Sequence, residues 1–227
     1  MRKTVLTKLT LKEKHILQSI LIKFELKKSR SPRKRLISFK TFFCMLTNEE
    51  NAFANIFLTI DPKRFGFKGE WYGLNESHKN MIRVKKFADT RDGCHYLPSD
   101  VVAAFDKMNK AMMREVGKVL YLDSGFRSGA YQLIIFFQQL SANKFNLKKT
   151  CRRVALPGWS EHGAPERQAC DFITLDILRG KKDNFSCTPE YKWLLEHANA
   201  FGFYLSYPKN NKFGVVFEPW HWHWEKP

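Results

Sequence analysis

The last ten residues of the chain place one carboxylate and two imidazoles within a strongly aromatic segment. Glu218 and His221 lie three positions apart, and His223 follows two positions later. The apolar run over 213–217 predicts a buried strand, because a short continuous apolar segment is typical of one. We therefore expect Glu218 and His221 near the end of a strand, with His223 packed among tryptophans.

A second polar cluster lies upstream and completes a set of residues with a shared chemistry. Glu161 and His162 follow a turn, and Asp171 comes nine residues after His162. Two histidines, an aspartate and a spare glutamate are the ligands and the base of a catalytic zinc hydrolase, in which three protein ligands leave one position for water. These residues are far apart in sequence, so only the fold can bring them together.

The neighbours of Glu218 suit a general base. Phe217, Pro219 and Trp220 flank it. A carboxylate among aromatic side chains is poorly solvated, and this raises its pKa towards the range in which it can accept and release a proton near neutral pH.

The elements that must position these residues predict an α+β domain, with a small antiparallel sheet flanked by helices and a metal site at the sheet. Apolar spacing and capping residues predict helices over 99–116, 130–141 and 189–201. Residues 142–160 are predicted to form a loop. Strands are predicted over 119–122, 171–175, 204–207 and 214–222.

Composition favours a globular protein with a basic N-terminal extension. The chain has 227 residues, of which 44% are hydrophobic and 15% aromatic. The net charge is +17, and residues 1–45 carry 13 Lys and Arg against 2 Asp and Glu. We expect an extension over 1–50, with an amphipathic helix over 9–27 and an exposed linker over 27–35, followed by a catalytic domain over 51–227.

The basic segment could contact an anionic wall polymer or a membrane surface, or could simply be solvated. No nucleic-acid partner is expected, since the sequence contains no RNA-binding signature, zinc finger or Gly-rich phosphate loop.

The sequence contains no run of 18 apolar residues, so no ordinary transmembrane helix is expected. A secretion signal over 33–54 is a poor match, because Lys40 interrupts its apolar stretch. The five cysteines form no C-x-x-C motif and predict neither a disulfide scaffold nor a cysteine zinc site.

Six stretches together resemble the VanY-type D-alanyl-D-alanine carboxypeptidases, zinc peptidases of the group that includes lysostaphin-like and hedgehog-type domains. They occur in the order of that family over roughly 75–225. The matching stretches are Ser124-Gly125-Phe126-Arg127-Ser128 with Gln132, Pro157-Gly158-Trp159-Ser160-Glu161-His162, Ala169-Cys170-Asp171, the segment 191–198, the segment 202–208, and Glu218-Pro219-Trp220-His221.

The resemblance implies a role for each matching residue. His162, Asp171 and His221 would be zinc ligands, Glu218 the base, and Arg127 a contact to the substrate or the developing oxyanion. Ser160, Gln132 and Ser124 would contact the peptide. The implied activity is a zinc-dependent D,D-carboxypeptidase that removes the terminal D-alanine from peptidoglycan stem peptides, with glutamate-assisted attack of zinc-bound water. It also implies a monomer acting in the periplasm or cell envelope.

One departure from the family pattern borders the expected site. The segment from His162 to Asp171 is two residues longer than usual, and Arg167 stands where the family has glycine. We expect this to affect the substrate pocket more than metal binding. Three alternatives stay open at this point: a peptidoglycan endopeptidase, a non-catalytic metal-binding module, which Glu218 argues against, and a nucleic-acid-binding protein, which charge alone favours.

Overall fold

The computed structural model describes residues 8–28, 31–76, 80–180 and 184–226, and the candidate site is built on a four-stranded antiparallel sheet. The strands are β1 (Met81–Arg83), β2 (Tyr96–Pro98), β3 (Leu120–Ser124), β4 (Gln168–Thr174), β5 (Phe203–Leu205) and β6 (His221–Trp224). The spatial order of the main sheet is β3–β4–β6–β5, while β1 and β2 form a separate pair. The small antiparallel sheet expected from the sequence is confirmed.

Eight α-helices are assigned within the described residues, and several surround this sheet. They are α1 (Leu11–Lys28), α2 (Phe39–Phe43), α3 (Asn48–Thr59), α4 (Ser99–Val116), α5 (Gly129–Ala142), α6 (Leu147–Cys151), α7 (Leu175–Leu178) and α8 (Pro189–His197). The predicted helices over 99–116, 130–141 and 189–201 correspond to α4, α5 and α8 with the short 3-10 turn that follows it. Gly117 ends α4 with φ of +64°, a left-handed conformation that glycine adopts without strain.

The sheet presents an apolar face and a polar face, because side chains alternate along each strand. Cys170 and Phe172 of β4 and Trp222 of β6 are buried in one hydrophobic core with α4 and α8. Phe172 stacks on Phe105 of α4, with ring centroids 5.3 Å apart. Asp171 therefore lies on the opposite face, where the candidate site forms.

The predicted strand over 213–217 is wrong, and so is the fully irregular loop over 142–160. Residues 213–217 are half-buried and irregular, and their backbone binds other loops: the Val216 N–H donates to the Arg152 carbonyl at 2.9 Å. Gly214, with φ of +74°, turns the chain where Gly66 approaches it closely.

The region 142–160, predicted as a loop, contains helix α6. His221 begins its strand instead of ending one, and Asp171 lies in the middle of β4.

A second hydrophobic core joins the N-terminal helices to α5. Leu17, Ile20 and Phe24 of α1 pack in one cluster with Phe57 of α3 and Phe137 of α5. The helix predicted over 9–27 is confirmed, and the basic N-terminal segment contributes to this core. The boundary after residue 50 stays a prediction.

The exposed linker predicted over 27–35 is wrong at its end. Arg35 is 4% exposed, lies over the Tyr131 ring at 5.5 Å and pairs with Asp92 at 3.2 Å. Residues 29 and 30 lie outside the described part of the chain.

Among the described helices, none is both long enough and apolar enough to cross a membrane. Ala54, at the end of the possible secretion signal, is fully buried within α3, and all five cysteines are free thiols.

Glu50 holds the first helix to the third through buried hydrogen bonds. Its carboxylate accepts from Ser19 at 2.7 Å and from Lys23 at 2.6 Å, both on α1, and from the Thr47 N–H at 2.7 Å in a capping box. Burial alone would raise the pKa of Glu50, but the hydrogen bonds from Lys23, Thr47 and Ser19 outweigh it and lower the pKa to about 2.

We expect Glu50→Gln to lower the free energy of unfolding by about 1–3 kcal/mol at pH 7, since it leaves the half-buried Lys23 ammonium without its anionic partner. The folded-state pKa is depressed, so this stabilisation is present above pH 4.5 and is lost as the pH falls towards 2. Urea denaturation at several pH values measures it. Glu49→Gln is the matched control, because Glu49 is exposed and its ion-pair partner, Lys12, is exposed as well. Equal losses in both variants would contradict the role of Glu50.

Candidate metal centre

The structure brings together the three predicted ligands from three separate elements. Donor atoms of His162, Asp171 and His221 all lie within 4.8 Å of one another, and each residue is buried. His162 Nε2 lies 3.2 Å from Asp171 Oδ2, and His221 Nδ1 lies 2.9 Å from Asp171 Oδ1. His162 comes from a short 3-10 turn, while Asp171 and His221 are directly paired in the register of β4 and β6.

Each imidazole has a partner on the nitrogen that faces away from the cluster. His162 Nδ1 lies 2.7 Å from the Gly125 carbonyl, an acceptor, so this nitrogen carries the proton and Nε2 is free to act as a ligand. His221 Nε2 lies 2.9 Å from Glu161 Oε2, which leaves Nδ1 facing Asp171. Outer hydrogen bonds of this kind fix the ring orientation of metal-binding histidines. The donor set therefore fits a divalent metal ion.

The charges of the cluster are strongly coupled. Burial alone would lower the pKa of His221, but hydrogen bonds to Asp171 and Glu161 outweigh it and raise the pKa to about 10. Burial, reinforced by the nearby Arg127 guanidinium, lowers the pKa of His162 to about 4. Two buried carboxylates thus attract a cation to the place where His221 meets Asp171. The raised pKa of His221 favours a proton at this position, and a metal ion would compete with that proton.

Glu218 lies beside the cluster in a different electrostatic state. It is 8% exposed, and its Oε2 lies 3.9 Å from His221 Nδ1. Burial raises its pKa to about 7. The residue is held by its backbone, since its N–H donates to the Tyr207 carbonyl at 3.1 Å and its carbonyl accepts from the His221 N–H at 3.1 Å. A carboxyl group with this pKa can both accept and donate a proton near neutral pH.

Arg127 and its neighbours form one hydrogen-bonded group next to Asp171. The Arg127 guanidinium donates to Asp171 Oδ2 at 3.0 Å, to Ser124 Oγ at 2.9 Å and to Gln132 Oε1 at 3.5 Å. Arg127, Gln132 and Ser160 line the cleft, while Ser124 lies behind Arg127. Ser124 thus contacts the Arg127 guanidinium. That Ser124 contacts a peptide stays a prediction.

A cleft of about 420 Å³ opens over these residues. Its volume lies within the range of small-molecule sites. Several of its wall residues lie outside the six matching stretches and were given no role at the site, among them Arg153 and Val216. Tyr207 came from one of those stretches but was given no role, and its ring lies 4.8 Å from the His221 ring.

The lengthened segment between His162 and Asp171 acts on the side of the site away from the cleft. Residues Pro165–Arg167 form a short 3-10 turn, and neither Glu166 nor Arg167 is among the described residues that line the cleft. Arg167 Nε donates to Glu161 Oε1 at 2.7 Å, and Ser206 Oγ donates to Glu161 Oε2 at 2.5 Å. Arg167 therefore helps to hold Glu161, the carboxylate that orients His221. The expectation that the extra residues reshape the substrate pocket stays a prediction.

Comparisons with known proteins agree with this arrangement. The family model for VanY, D-alanyl-D-alanine carboxypeptidase, matches residues 94–226. YodJ of Bacillus subtilis (strain 168) is 31% identical over 128 residues, covering 56% of this chain and 45% of that protein. The D-alanyl-D-alanine carboxypeptidase of Enterococcus faecium is 29% identical over 130 residues, covering 56% and 36%. The chain thus spans less than half the length of these two curated relatives.

Solved structures show the same fold. The LdcB LD-carboxypeptidase, whose structure is described as revealing the basis of peptidoglycan recognition, has 25% identity and a TM-score of 0.55, covering 72% of this chain and 77% of that one. A VanY D,D-pentapeptidase variant solved in complex with Zn(II) has 22% identity and a TM-score of 0.52, covering 70% and 86%.

The three clustered donors predict one metal site per chain. After treatment with a chelator, the protein should bind one equivalent of Zn²⁺ in isothermal titration calorimetry. Asp171→Ala removes a direct ligand and should lower the Zn²⁺ affinity by more than about 100-fold. Loss of a residue that only hydrogen-bonds to a ligand costs at most about that much. His197→Ala, which changes an exposed histidine, is the control and should bind as the unaltered protein does. Unchanged affinity in Asp171→Ala would contradict the site.

A finer prediction concerns Glu161. Glu161→Gln should lower Zn²⁺ affinity by about 10- to 100-fold with the stoichiometry unchanged, because the amide cannot hold His221 Nε2–H with a negative charge. Glu166→Gln removes the same charge from an exposed neighbour and should have no effect. Equal affinities in the two variants would show that Glu161 does not position the ligand.

Proposed function

Since the chain belongs to the VanY family of D-alanyl-D-alanine carboxypeptidases, we propose that it is a zinc-dependent D,D-carboxypeptidase that removes the terminal D-alanine from peptidoglycan stem peptides. The observation that carries this proposal is the convergence, in one cleft, of His162, Asp171 and His221 with Glu218 and Arg127. A peptidase of this type needs a metal site, a proton acceptor and a cation, and all three lie on the same walls.

Zinc is the metal that this donor set favours. Two imidazole nitrogens and one carboxylate are a common catalytic zinc set, with a position left for water or substrate. His162 would bind through Nε2 and His221 through Nδ1, the nitrogens that face Asp171. When bound, zinc supplies Lewis-acid polarisation of the scissile carbonyl and lowers the pKa of water.

Glu218 would move the protons of the reaction. Hydrolysis adds a water oxygen to the scissile carbonyl carbon and breaks the bond to the leaving nitrogen. The Glu218 carboxylate would accept the proton that the water loses and then donate it to the departing D-alanine amine. Its pKa of about 7 suits both transfers, because neither protonation state is strongly favoured.

Arg127 would recognise negative charge on the substrate. The guanidinium is 14% exposed towards the cleft and is fixed by Ser124, Gln132 and Asp171. A fixed, desolvated guanidinium forms strong charge-assisted hydrogen bonds with a carboxylate or a developing oxyanion. Ser160 and Gln132 on the adjoining walls would contact the peptide backbone.

The proposed substrate places the activity in the cell envelope, where peptidoglycan stems occur. The catalytic residues all come from one chain, so we propose that a monomer suffices. Basic surface charge would further favour approach to an anionic wall or membrane.

The proposal is tested by mass analysis of products from synthetic stem pentapeptides. We expect loss of a single alanine to give the tetrapeptide, no reaction after chelation, and recovery on adding zinc. A pentapeptide with an amidated C-terminus should react poorly, because Arg127 would lose its anionic partner. Preferential cutting of internal cross-links would instead assign an endopeptidase, and metal binding without any cleavage would assign a non-catalytic module.

Glu218→Gln should lower kcat by about two to four orders of magnitude while Zn²⁺ binding is retained, because it removes the proton acceptor and keeps the shape. Steady-state hydrolysis of the pentapeptide and calorimetric titration measure the two quantities. Glu225→Gln is the control, since Glu225 is half-exposed and bonds to Arg167 away from the cleft. Turnover near that of the unaltered protein would exclude Glu218 as the base.

A further inference from the structure

A second, strongly basic groove shares two wall residues with the cleft. It has a volume of about 360 Å³ and is lined by Asn146, Lys148, Lys149, Arg152, Arg153 and Val216. Arg153 and Val216 are also walls of the cleft. The two cavities are therefore neighbours with a common border at Arg153 and Val216.

The groove is a fixed feature of the fold. Leu147, Thr150 and Cys151 are buried and hold α6 against the core, so the exposed Lys148, Lys149 and Arg152 lie on its outer side. The hydrogen bond from Val216 N–H to the Arg152 carbonyl fastens this segment to the cleft wall.

The charges of the groove lack anionic partners. Among the described residues, no ion pair involves Lys148, Lys149, Arg152 or Arg153, and no carboxylate lines the groove. Elsewhere in the same chain, buried or half-buried cations such as Arg35, Arg127 and Arg167 are paired with carboxylates. Arg153 also acts on the site itself, since its charge opposes the upward pKa shift of Glu218.

We infer that this groove binds a carboxylate group carried by the substrate peptide on the N-terminal side of the scissile bond. The inference rests on the proposed function. When a carboxypeptidase removes one residue, the substrate ends one residue beyond the scissile bond, so any longer groove must hold the opposite part of the peptide. Four unpaired cations then select a peptide that bears negative charge there.

The test compares two synthetic peptides that end in the same free D-alanine residues and differ only in an upstream carboxylate or carboxamide. The unaltered enzyme should hydrolyse the acidic peptide with about 3- to 30-fold higher kcat/KM, the range for a few exposed charge pairs, and the difference should shrink at high salt. The triple variant Lys148→Ala, Lys149→Ala, Arg152→Ala should lose this preference and hydrolyse the carboxamide peptide at the unaltered rate.

The matched control removes three cations from a separate groove, with Lys107→Ala, Lys110→Ala and Arg114→Ala, and should keep the preference. Fluorescence anisotropy of labelled peptides on Glu218→Gln protein measures binding without turnover, so the groove is tested even if no peptide is cleaved. Cleavage of neither peptide would overturn the proposed function, while equal binding of both would overturn the groove. Tight binding of a phosphate-rich polymer without discrimination between the peptides would also overturn it.

Discussion

The pairing of β4 with β6 is the constraint on which the candidate site depends. Asp171 lies directly opposite His221 in this register, and opposite Ser124 of β3 on its other side. Because side chains alternate along a strand, a shift of one residue would turn Asp171 into the core and bring Cys170 or Phe172 to the site. The apolar residues on the opposite face oppose such a shift, so packing of the core also sets the geometry of the donors.

Two buried glutamates, one beside each ring nitrogen of His221, show how the same side chain takes opposite electrostatic states. Both are desolvated, which favours the neutral form. Burial alone would raise the pKa of Glu161, but the hydrogen bond and charge of His221, with the hydrogen bond from Ser206, lower it to about 2. Glu161 also pairs with Arg167. Glu218 has no such donors on its carboxylate among the described residues, and burial dominates. The first can serve as a fixed anion and the second as a group that exchanges protons.

Much of this arrangement could be predicted from the sequence, because local patterns carry it. Helices α4, α5 and α8 begin and end at capping residues, glycines and prolines that act within a few positions. The cluster of His162, Asp171 and His221 came from a resemblance, since no local rule brings together residues 59 positions apart. Pairing between distant segments was poorly predicted. The apolar run over 213–217 has the composition of a strand, but its partners are loops.

The positions of charged residues in the sequence did not predict which of them would be buried and which would border the cleft, because tertiary contacts decide this. Arg35 and Lys34 belong to a basic run that is typical of an exposed linker, yet Arg35 is buried against Tyr131. Conversely, Lys148 and Arg152 gave no motif, and only the fold shows that they border the cleft.

Helix α5 connects the turn that carries Arg127 to the N-terminal core. Ser128, next to Arg127, donates its hydroxyl to the Ile37 carbonyl at 2.6 Å, and its N–H donates to the Arg35 carbonyl at 2.9 Å. The segment shared with the family begins at residue 94, so these anchors lie outside it. The residues that the family model matches therefore pack against residues that it does not match. A substitution on the buried face of α5 changes the core that this helix shares with α1 and α3, and α5 is also the helix that begins beside Arg127.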